Sequence, residues 1–405
     1  MKINNLILLV SLLIMGSQVV SSQSKTGDLP VFDFSKNYPQ KKLRLQDMAE
    51  IEYVPLETTD EILLGGSSVL SAVTDKYILI HESRLGDIFV FDRKTGKLYS
   101  HFNHKGQSGQ EYTWINVGTI LDEKKEEIYV CSQFIQVYSL KGDYKRTLKI
   151  NTFDNEMSIF NFDDESLLIY EGVIIEPGRE SKTKKSPYRL VSKKDGSQLS
   201  VLDIHFEKRY TNKIAQSLEG NMWRPFGIYY PQNMHYGPDL MIADISSDTL
   251  FRLSPDKGLI PLLTRKPSTH APEPRNIWIP LLTTDKFMLI GTLLLDFKSL
   301  KGGPIPTFMY EFKTGEIKKT PILDTEYDTR AWSQGRWSPD ASPDIARNMV
   351  AEMIQASTVI EAYHGKRLAG NGMKIAKTLV EDDNPVIRII KFNVSIYNRL
   401  LLNIL

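Results

Sequence analysis

A chain of 405 residues is long enough for two or three domains, unless a repeat architecture spreads one domain over all of it. Fifty basic residues against forty-nine acidic ones leave a formal charge of +1, which removes the usual electrostatic argument for a nucleic-acid or anionic-membrane partner. The single cysteine, Cys131, excludes an intramolecular disulfide.

The N-terminus has the pattern of a secretory signal peptide over residues 1–22. Lys2 gives a positive start, residues 6–15 form a short apolar stretch, and small residues at the end supply a cleavage site. We expect residues 23–405 to be exported to the periplasm or secreted, with no integral membrane span, because no other stretch approaches the roughly 20 apolar residues that a span needs. No cysteine follows the apolar stretch to carry a lipid anchor. An uncleaved N-terminal anchor is the alternative.

The mature chain opens with a polar lead and then a strand-like segment, IEYVPLET, at residues 51–58. Ile51, Tyr53 and Val54 favour a β-strand, whereas Pro55 removes a donor from the hydrogen-bond ladder. An interrupted strand of this kind is typical of a sheet edge.

The stretch 87–112 has the clearest local pattern in the chain. Residues 88–91 form a β-rich run, residues 92–96 have turn chemistry, and residues 98–102 resume an extended pattern. We therefore predict a β-hairpin, followed by a glycine-rich exit at 106–112 that crosses to the next unit.

Four further units repeat this order of strand, glycine turn and strand, at residues 126–150, 166–204, 239–263 and 286–323. Their turn glycines are about 46 to 62 residues apart, near the roughly 40 to 50 residues of a four-stranded propeller blade. The recurring glycines are Gly96, Gly142, Gly196, Gly258 and Gly315.

The pattern changes beyond residue 332. Residues 342–344, Ser-Pro-Asp, resemble a helix N-cap followed by proline at the first helical position. The apolar residues after them recur at helical spacing, namely Ile345, Met349, Met353 and Ile354. We predict a helical insertion over about 343–363.

A glycine-rich break at Gly370 and Gly372 precedes a final strand within EDDNPVIRIIKF, residues 381–392. Closing a ring of blades requires both chain ends to share one blade, and the spare strand at 51–58 is available for this. The sequence therefore predicts an all-β fold, a six-bladed β-propeller with a C-terminal helical insertion in the last blade.

Several segments together resemble the six-bladed β-propeller proteins that Bacteroides-type bacteria export. The segments are IEYVPLETTDEILLG, FVFDRKTGKL with GQSGQEY, IWIPLLTTDKFMLI and EDDNPVIRIIKF. The resemblance spans nearly the whole mature chain and implies an NHL-like or TolB-like propeller, in a family whose biochemical role is largely unassigned. Relatives carry Gly-Pro-Gly-Glu-Tyr where residues 108–112 here read Ser-Gly-Gln-Glu-Tyr.

Motifs of established chemistry do not stand out. Cys131 lies in an apolar run, where a thiol usually acts as a small buried hydrophobe. The glycines at 106–109 lack the lysine and Ser/Thr ending of a phosphate loop. His101 and His104 lie three residues apart, but a metal there would need a third ligand from elsewhere. We predict neither a metal nor a cofactor.

Two aromatic segments are the best candidates for a ligand site. The segment 221–238 mixes aromatic rings and an arginine with prolines and glycines, and the segment 329–337 has a similar composition. Flat rings stack on sugars and guanidinium groups bind carboxylates, so both suit carbohydrate or peptide recognition. The alternative is that the rings fill the gap between blades three and four. The candidate ligand-binding residues are Trp223, Arg224, Tyr229, Tyr230, His235, Arg330 and Trp332.

Three hypotheses of function follow. The first is an exported binding or interaction module for a glycan or protein ligand. The second is a hydrolase or lyase acting on a sugar or lactone at the channel mouth, which would require at least three Asp, Glu or His side chains to converge there. The third is a structural propeller within an envelope complex. The oligomeric state is open.

Overall fold

The protein is described by a computed structural model over residues 29–150, 157–172, 186–206, 208–210, 213–217, 223–227, 233–271, 275–295, 306–331, 344–345 and 348–392. For residues 213–217, 223–227, 295, 328–331 and 344–345 the backbone alone is described. Within these residues, six small sheets in a ring form a six-bladed β-propeller. The predicted fold class is confirmed.

Three N-terminal strands precede the first blade: β1 (Val31–Asp33), β2 (Leu43–Arg44) and β3 (Ala49–Pro55). β1 pairs in parallel with the outer strand of the fourth blade, and Gln40 forms a bridge with Lys319 on the fifth. Phe32, only 1% exposed, packs edge-on against Trp278. This segment therefore covers outer sheet edges that would otherwise expose unpaired backbone groups.

The first three blades each have four antiparallel strands. Blade one has β4 (Ser68–Val73), β5 (Tyr77–Glu82), β6 (Asp87–Asp92) and β7 (Leu98–Asn103). Blade two has β8 (Gly118–Asp122), β9 (Glu127–Cys131), β10 (Ile135–Ser139) and β11 (Tyr144–Leu148). Blade three has β12 (Met157–Asn161), β13 (Ser166–Glu171), β14 (Tyr188–Ser192) and β15 (Gln198–Val201).

A separate hairpin, β16 (Lys213–Ser217) and β17 (Trp223–Gly227), lies between blades three and four in the chain. Blade four has β18 (Asn233–Tyr236), β19 (Asp239–Ile242), β20 (Thr249–Ser254) and β21 (Gly258–Lys266). Blade five has β22 (Arg275–Thr283), β23 (Phe287–Leu295), β24 (Thr307–Glu311) and β25 (Ile317–Lys319). Two more strands, β26 (Ile322–Asp324) and β27 (Asp328–Ala331), form a small sheet with β2.

Blade six joins the two ends of the described chain. The short strand β28 (Asp344–Ile345) precedes it in the chain. The elements of blade six are β29 (Met349–Ile354), α1 (Ala356–His364), α2 (Gly370–Ala376) and β30 (Val386–Phe392), together with β3. The sheet order is β29-β30-β3, so the N-terminal strand closes the ring from the sheet edge, as predicted. Both helices lie between β29 and β30, which confirms a helical insertion in the last blade. No helix of the described residues has the length and apolar character needed to cross a membrane.

The predicted limits of the helical insertion, 343–363, are wrong at the N-terminal side. Met349 and Met353, expected on a helix face, belong to strand β29, and the helix begins only at Ala356. β29 pairs with β30 along its whole length, and this non-local pairing outweighs the local helical spacing. Gly370, expected in a break, is the first residue of α2.

The first strand of each blade lies toward the centre of the ring, where neighbouring first strands approach one another. Five of these strands were not predicted individually, because several of them mix small or polar residues into short runs: β4, β8, β12, β18 and β22. β28 pairs in parallel with β4 and also approaches β18 and β29. The chain thus places a short strand at the channel-facing edge of blade one.

Side chains of alternating strand positions fill the seams between blades. On β10, Ile135 and Val137 pack with blade three, whereas Tyr138 packs with blade one. Cys131 is buried, as predicted, and the structure places it in the seam toward blade three. Burial raises the pKa of its thiol to about 12. A thiol with this pKa stays protonated at neutral pH.

Candidate functional site

A cavity of about 630 Å³ opens among the strand-connecting turns of blades one to four. We call this side of the ring the turn face, because the first-to-second and third-to-fourth turns of a blade both lie there. In blade one, Arg93 N donates to Lys76 O across these two turns at 2.8 Å, and in blade three Lys193 N donates to Glu165 O at 2.8 Å. The lining residues are Thr74, Leu121, Asp122, Glu123, Lys124, Asn161, Phe162, Asp163, Asp164, Glu165, Lys193, Gly237, Pro238, Pro255 and Asp256.

Aspartates at the ends of first strands fix the turns that form the cavity walls. Asp163 Oδ1 accepts from the backbone N–H of Glu165 at 2.9 Å and of Ser166 at 2.7 Å. Asp122 Oδ1 accepts from Lys125 N at 3.0 Å. Such bonds hold a turn in one conformation without a ligand. The walls of the cavity are therefore pre-formed.

One buried ion pair joins blades two and three at the cavity wall. Lys193 Nζ donates to Asp122 Oδ2 at 2.6 Å and to the carbonyl oxygen of Asp163 at 2.6 Å. The side chains of Lys193 and Asp122 are 2% and 6% exposed. Burial of both charges requires this close pairing, so the pair fixes the relative position of two blades.

The cavity carries an excess of negative charge. Six carboxylates and two ammonium groups line it, which leaves a formal charge of −4. Lys124 forms an ion pair with Asp164, and this hydrogen bond holds the pKa of Asp164 below its usual value. Low-dielectric walls concentrate the field of such charges within a cleft.

A second polar cluster lies in the seam between blades one and two. His81 Nδ1 lies 2.7 Å from Ser71 Oγ, Thr119 Oγ1 donates to Ser71 Oγ at 2.7 Å, and His81 Nε2 lies 3.2 Å from Ser83 Oγ. Ser71 and Thr119 belong to the first strands of the two blades. Burial lowers the pKa of His81 to about 4. The ring is therefore neutral at pH 7 and acts as a buried hydrogen-bonding group.

This histidine makes stability pH-dependent. Between pH 6.5 and 4 the unfolded chain binds a proton at His81 and the folded chain does not. The free energy of unfolding therefore decreases as the pH is lowered through this range. We expect the wild type to lose about 2 kcal/mol between pH 7.5 and 5 through this residue. Urea unfolding of His81→Gln should show a correspondingly smaller loss. His205→Gln, whose ring is 89% exposed, is the control and should follow the wild type. Parallel pH profiles for wild type and His81→Gln would contradict the assignment.

The predicted aromatic residues are only partly within the described structure. Trp223 and Arg224 lie on β17, opposite Ser217 and Gln216 of β16, and the backbone alone is described there. Arg330 lies on β27, again as backbone. Tyr229, Tyr230 and Trp332 lie outside the described residues, as do residues 333–337. Their role in a ligand site stays a prediction.

His235 is the one predicted site residue whose side chain is described. It lies on β18, and its ring packs edge-on against Phe160 of blade three with centroids 5.6 Å apart. At this position the alternative interpretation, rings filling the gap between blades three and four, fits the contact.

The two closely spaced histidines each have a protein partner. His101 Nε2 lies 2.9 Å from Asp87 Oδ1 and its ring stacks on Phe89 at 4.4 Å. His104 Nε2 lies 2.8 Å from Gly142 O. Within the described residues, no group of three or more His, Cys, Asp or Glu has an arrangement that could hold a metal ion.

Sequence reasoning missed the cavity. The sequence does contain a pattern that indicates it: acidic residues follow the first strands at 122–123 and 163–165, and another occurs at Asp256. The first strands themselves were not recognised, and only the order of blades shows that these turns lie side by side.

A family profile described as a domain of unknown function (DUF4934) matches residues 29–391. The match extends from the segment before β1 into β30. A search of curated proteins found no match.

Solved structures share the architecture at low identity. A presumed exported protein of Bacteroides fragilis is 12% identical with a TM-score of 0.54, and the alignment covers 90% of this chain and 100% of that chain. A protein of unknown function from Bacteroides caccae is 12% identical over 64% of this chain and 87% of that chain, with a TM-score of 0.34. BamB from Moraxella catarrhalis is 11% identical over 80% and 84%, with a TM-score of 0.33. At this identity, the likeness to the Bacteroides fragilis protein shows a shared fold and nothing about function.

Proposed function

The chain belongs to the DUF4934 family, whose function is unknown, and from this premise we propose that it is an exported propeller that acts as a binding module, with its ligand in the turn-face cavity. The observation that carries the proposal is the cavity itself. Its volume of about 630 Å³ falls within the roughly 300–1,000 Å³ of typical ligand sites. Turns from four blades form it, so the ring supplies a rigid frame for recognition.

Export to the periplasm or secretion is part of the proposal. It rests on the signal-peptide pattern of residues 1–22. The finer assignment to NHL-like or TolB-like propellers also stays a prediction. The ligand is a protein or a glycan, since an open cavity with mixed polar and apolar lining suits either.

The alternative, a hydrolase or lyase acting on a sugar or lactone, has less support. Of the carboxylates in the cavity, Asp122 is bound by Lys193, Asp163 caps a turn, and Asp164 pairs with Lys124. Groups engaged in this way hold the walls in place rather than meeting a substrate. A general acid and base would need carboxylates with separated pKa values facing one bound substrate.

A panel of glycans and peptides, screened against the purified protein, tests the proposal. We expect any ligand found to lose at least about tenfold in affinity, equal to 1.4 kcal/mol, in Asp256→Trp, because the indole obstructs the cavity. Lys313→Trp, on the corresponding exposed turn of blade five outside the cavity lining, is the matched control and should bind normally.

The same panel separates the cavity from the aromatic segments. Trp223→Ala and Trp332→Ala should reduce affinity if the ligand contacts those segments instead. A ligand that responds to these variants and ignores Asp256→Trp would place the site elsewhere on the ring.

A further inference from the structure

The cations of the turn-face cavity are already neutralised within the protein. Lys193 is bound to Asp122, and Lys124 is paired with Asp164. Each ammonium group therefore cancels one carboxylate of the lining. The remaining negative charge belongs to the other four carboxylates.

Those four carboxylates lie on turns of three different blades. Glu123 belongs to blade two, Asp163 and Glu165 to blade three, and Asp256 to blade four. Glu165 has an 84% exposed side chain and only a distant cation, Lys125 Nζ at 3.8 Å. Among the described residues, Asp256 has neither a hydrogen bond nor an ion pair. Asp163 is engaged within its own turn, so the charge that is available to a ligand is that of Glu123, Glu165 and Asp256.

The apolar part of the lining indicates what kind of cation fits. Leu121, Phe162, Pro238 and Pro255 lie among the carboxylates. Lysine and arginine side chains bury their methylene stems on apolar surface while the charged group stays with polar partners. Distributed carboxylates with apolar surface between them match such side chains better than a single small ion, which needs several oxygens converging on one point.

We infer that the ligand of the turn-face cavity is a lysine- or arginine-bearing peptide segment of a partner protein. This inference rests on the proposed function, because it takes the cavity to be the binding site and specifies the chemistry of what binds there. The carboxylates of blades two to four face the cationic groups, and the apolar turns contact the stems. The buried pair Lys193–Asp122 holds the wall and does not contact the ligand.

Fluorescence anisotropy of the purified full chain with fluorescein-labelled tetralysine and tetraglutamate tests the inference. We expect tetralysine to bind at least about tenfold tighter than tetraglutamate, and its affinity to fall with added salt. The double variant Glu165→Gln/Asp256→Asn should bind tetralysine at least about fivefold more weakly, since each lost charge weakens the attraction. The double variant Glu50→Gln/Glu381→Gln removes the same charge at exposed positions outside the cavity and should bind within about twofold of wild type.

Absence of tetralysine binding, or equal losses in the two double variants, would overturn the inference. The proposed function can survive that result. If a neutral glycan or peptide from the panel loses affinity in Asp256→Trp while tetralysine ignores the cavity, the site is correct and its ligand class is wrong. If no ligand responds to Asp256→Trp, the cavity itself is rejected together with the inference.

Discussion

Replacing Arg388 with methionine is expected to cost about 3–5 kcal/mol of unfolding free energy, the usual penalty for removing one partner of a buried ion pair. Arg388 lies on β30 in blade six, and its side chain is 1% exposed. Its Nη1 donates to Asp324 Oδ2 at 2.6 Å and its Nη2 donates to Glu326 Oε2 at 2.8 Å. The guanidinium also lies 4.8 Å from the ring centroid of Tyr327. Methionine would leave two buried carboxylates without their cation.

The cluster joins blade six to the segment that follows blade five. Asp324 is the last residue of β26, and Gln46 Nε2 donates to its Oδ1 at 2.8 Å. Tyr53 lies on β3, the closing strand, which completes the ring by pairing with β30. Its hydroxyl donates to Glu326 Oε2 at 2.6 Å. The loss of Arg388 therefore weakens the closing region of the ring as well as one ion pair.

Urea unfolding at pH 7.5 measures this effect, and Arg44→Met is the matched control. The side chain of Arg44 is 57% exposed and its Nε lies 3.9 Å from Asp47 Oδ2, so its replacement should cost at most about 1 kcal/mol. Adding Asp324→Asn and Glu326→Gln to Arg388→Met should recover part of the loss, because the buried charges are gone. A loss for Arg388→Met no larger than that of the control would show that the cluster contributes little.

Gly96→Ala should destabilise the protein by roughly 2 kcal/mol more than the same change at another turn glycine, because a methyl group would collide with the closing strand. Gly96 has φ +72°, and a Cβ there would lie 1.9 Å from the carbonyl oxygen of Pro55. Glu57 N donates to Gly96 O at 2.9 Å, so the segment after β3 and the turn of blade one are in direct contact at this point. Alanine would force β3 away from blade one.

Gly258→Ala isolates the backbone part of this effect. Gly258 has φ +71°, and a Cβ there would meet no atom within 4 Å. Its replacement should cost only about 1–2 kcal/mol, the penalty of a left-handed conformation for an L-residue. Thermal or urea unfolding of both variants gives the comparison. Equal losses would mean that contact with the closing strand adds nothing to the cost at Gly96.

The candidate site and the closing region are separate parts of the ring. The cavity is lined by turns of blades one to four, whereas the Arg388 cluster and both helices belong to blade six and the segment before it. Variants of the cavity carboxylates can therefore be tested for binding without disturbing ring closure. The stability variants at Arg388 and Gly96, each compared with its control, report on ring closure.

The sequence predicted the blade repeat because the repeat is local. Residues 87–112 contain a β-rich run, an Asp-to-Gly turn and a second extended run, and the structure has β6, the turn and β7 there. All five recurring turn glycines have positive φ, which only glycine adopts at little steric cost. The strand that contains Pro55 was predicted at a sheet edge because proline has no N–H donor, and β3 is an edge strand of its sheet.

The helix limits could not be predicted in the same way. The spacing of Ile345, Met349, Met353 and Ile354 fits a helix, yet pairing with β30 makes Met349–Ile354 a strand. β30 lies more than thirty residues further along the chain, so a local window contains no sign of this partner. Secondary structure at this point is decided by non-local hydrogen bonds.

Sequence by itself determined the architecture of this protein: β-strands, tight turns, a blade repeat and closure by the N-terminal strand β3. The tertiary structure alone decided which side chains meet. Asp122, Asp163 and Asp256 are far apart in the chain and line one cavity because the ring places the turns of successive blades side by side. His81 and Thr119 lie in one cluster for the same reason. Turn and strand patterns are set by each residue's own conformational preferences, whereas a site between blades depends on how the sheets pack.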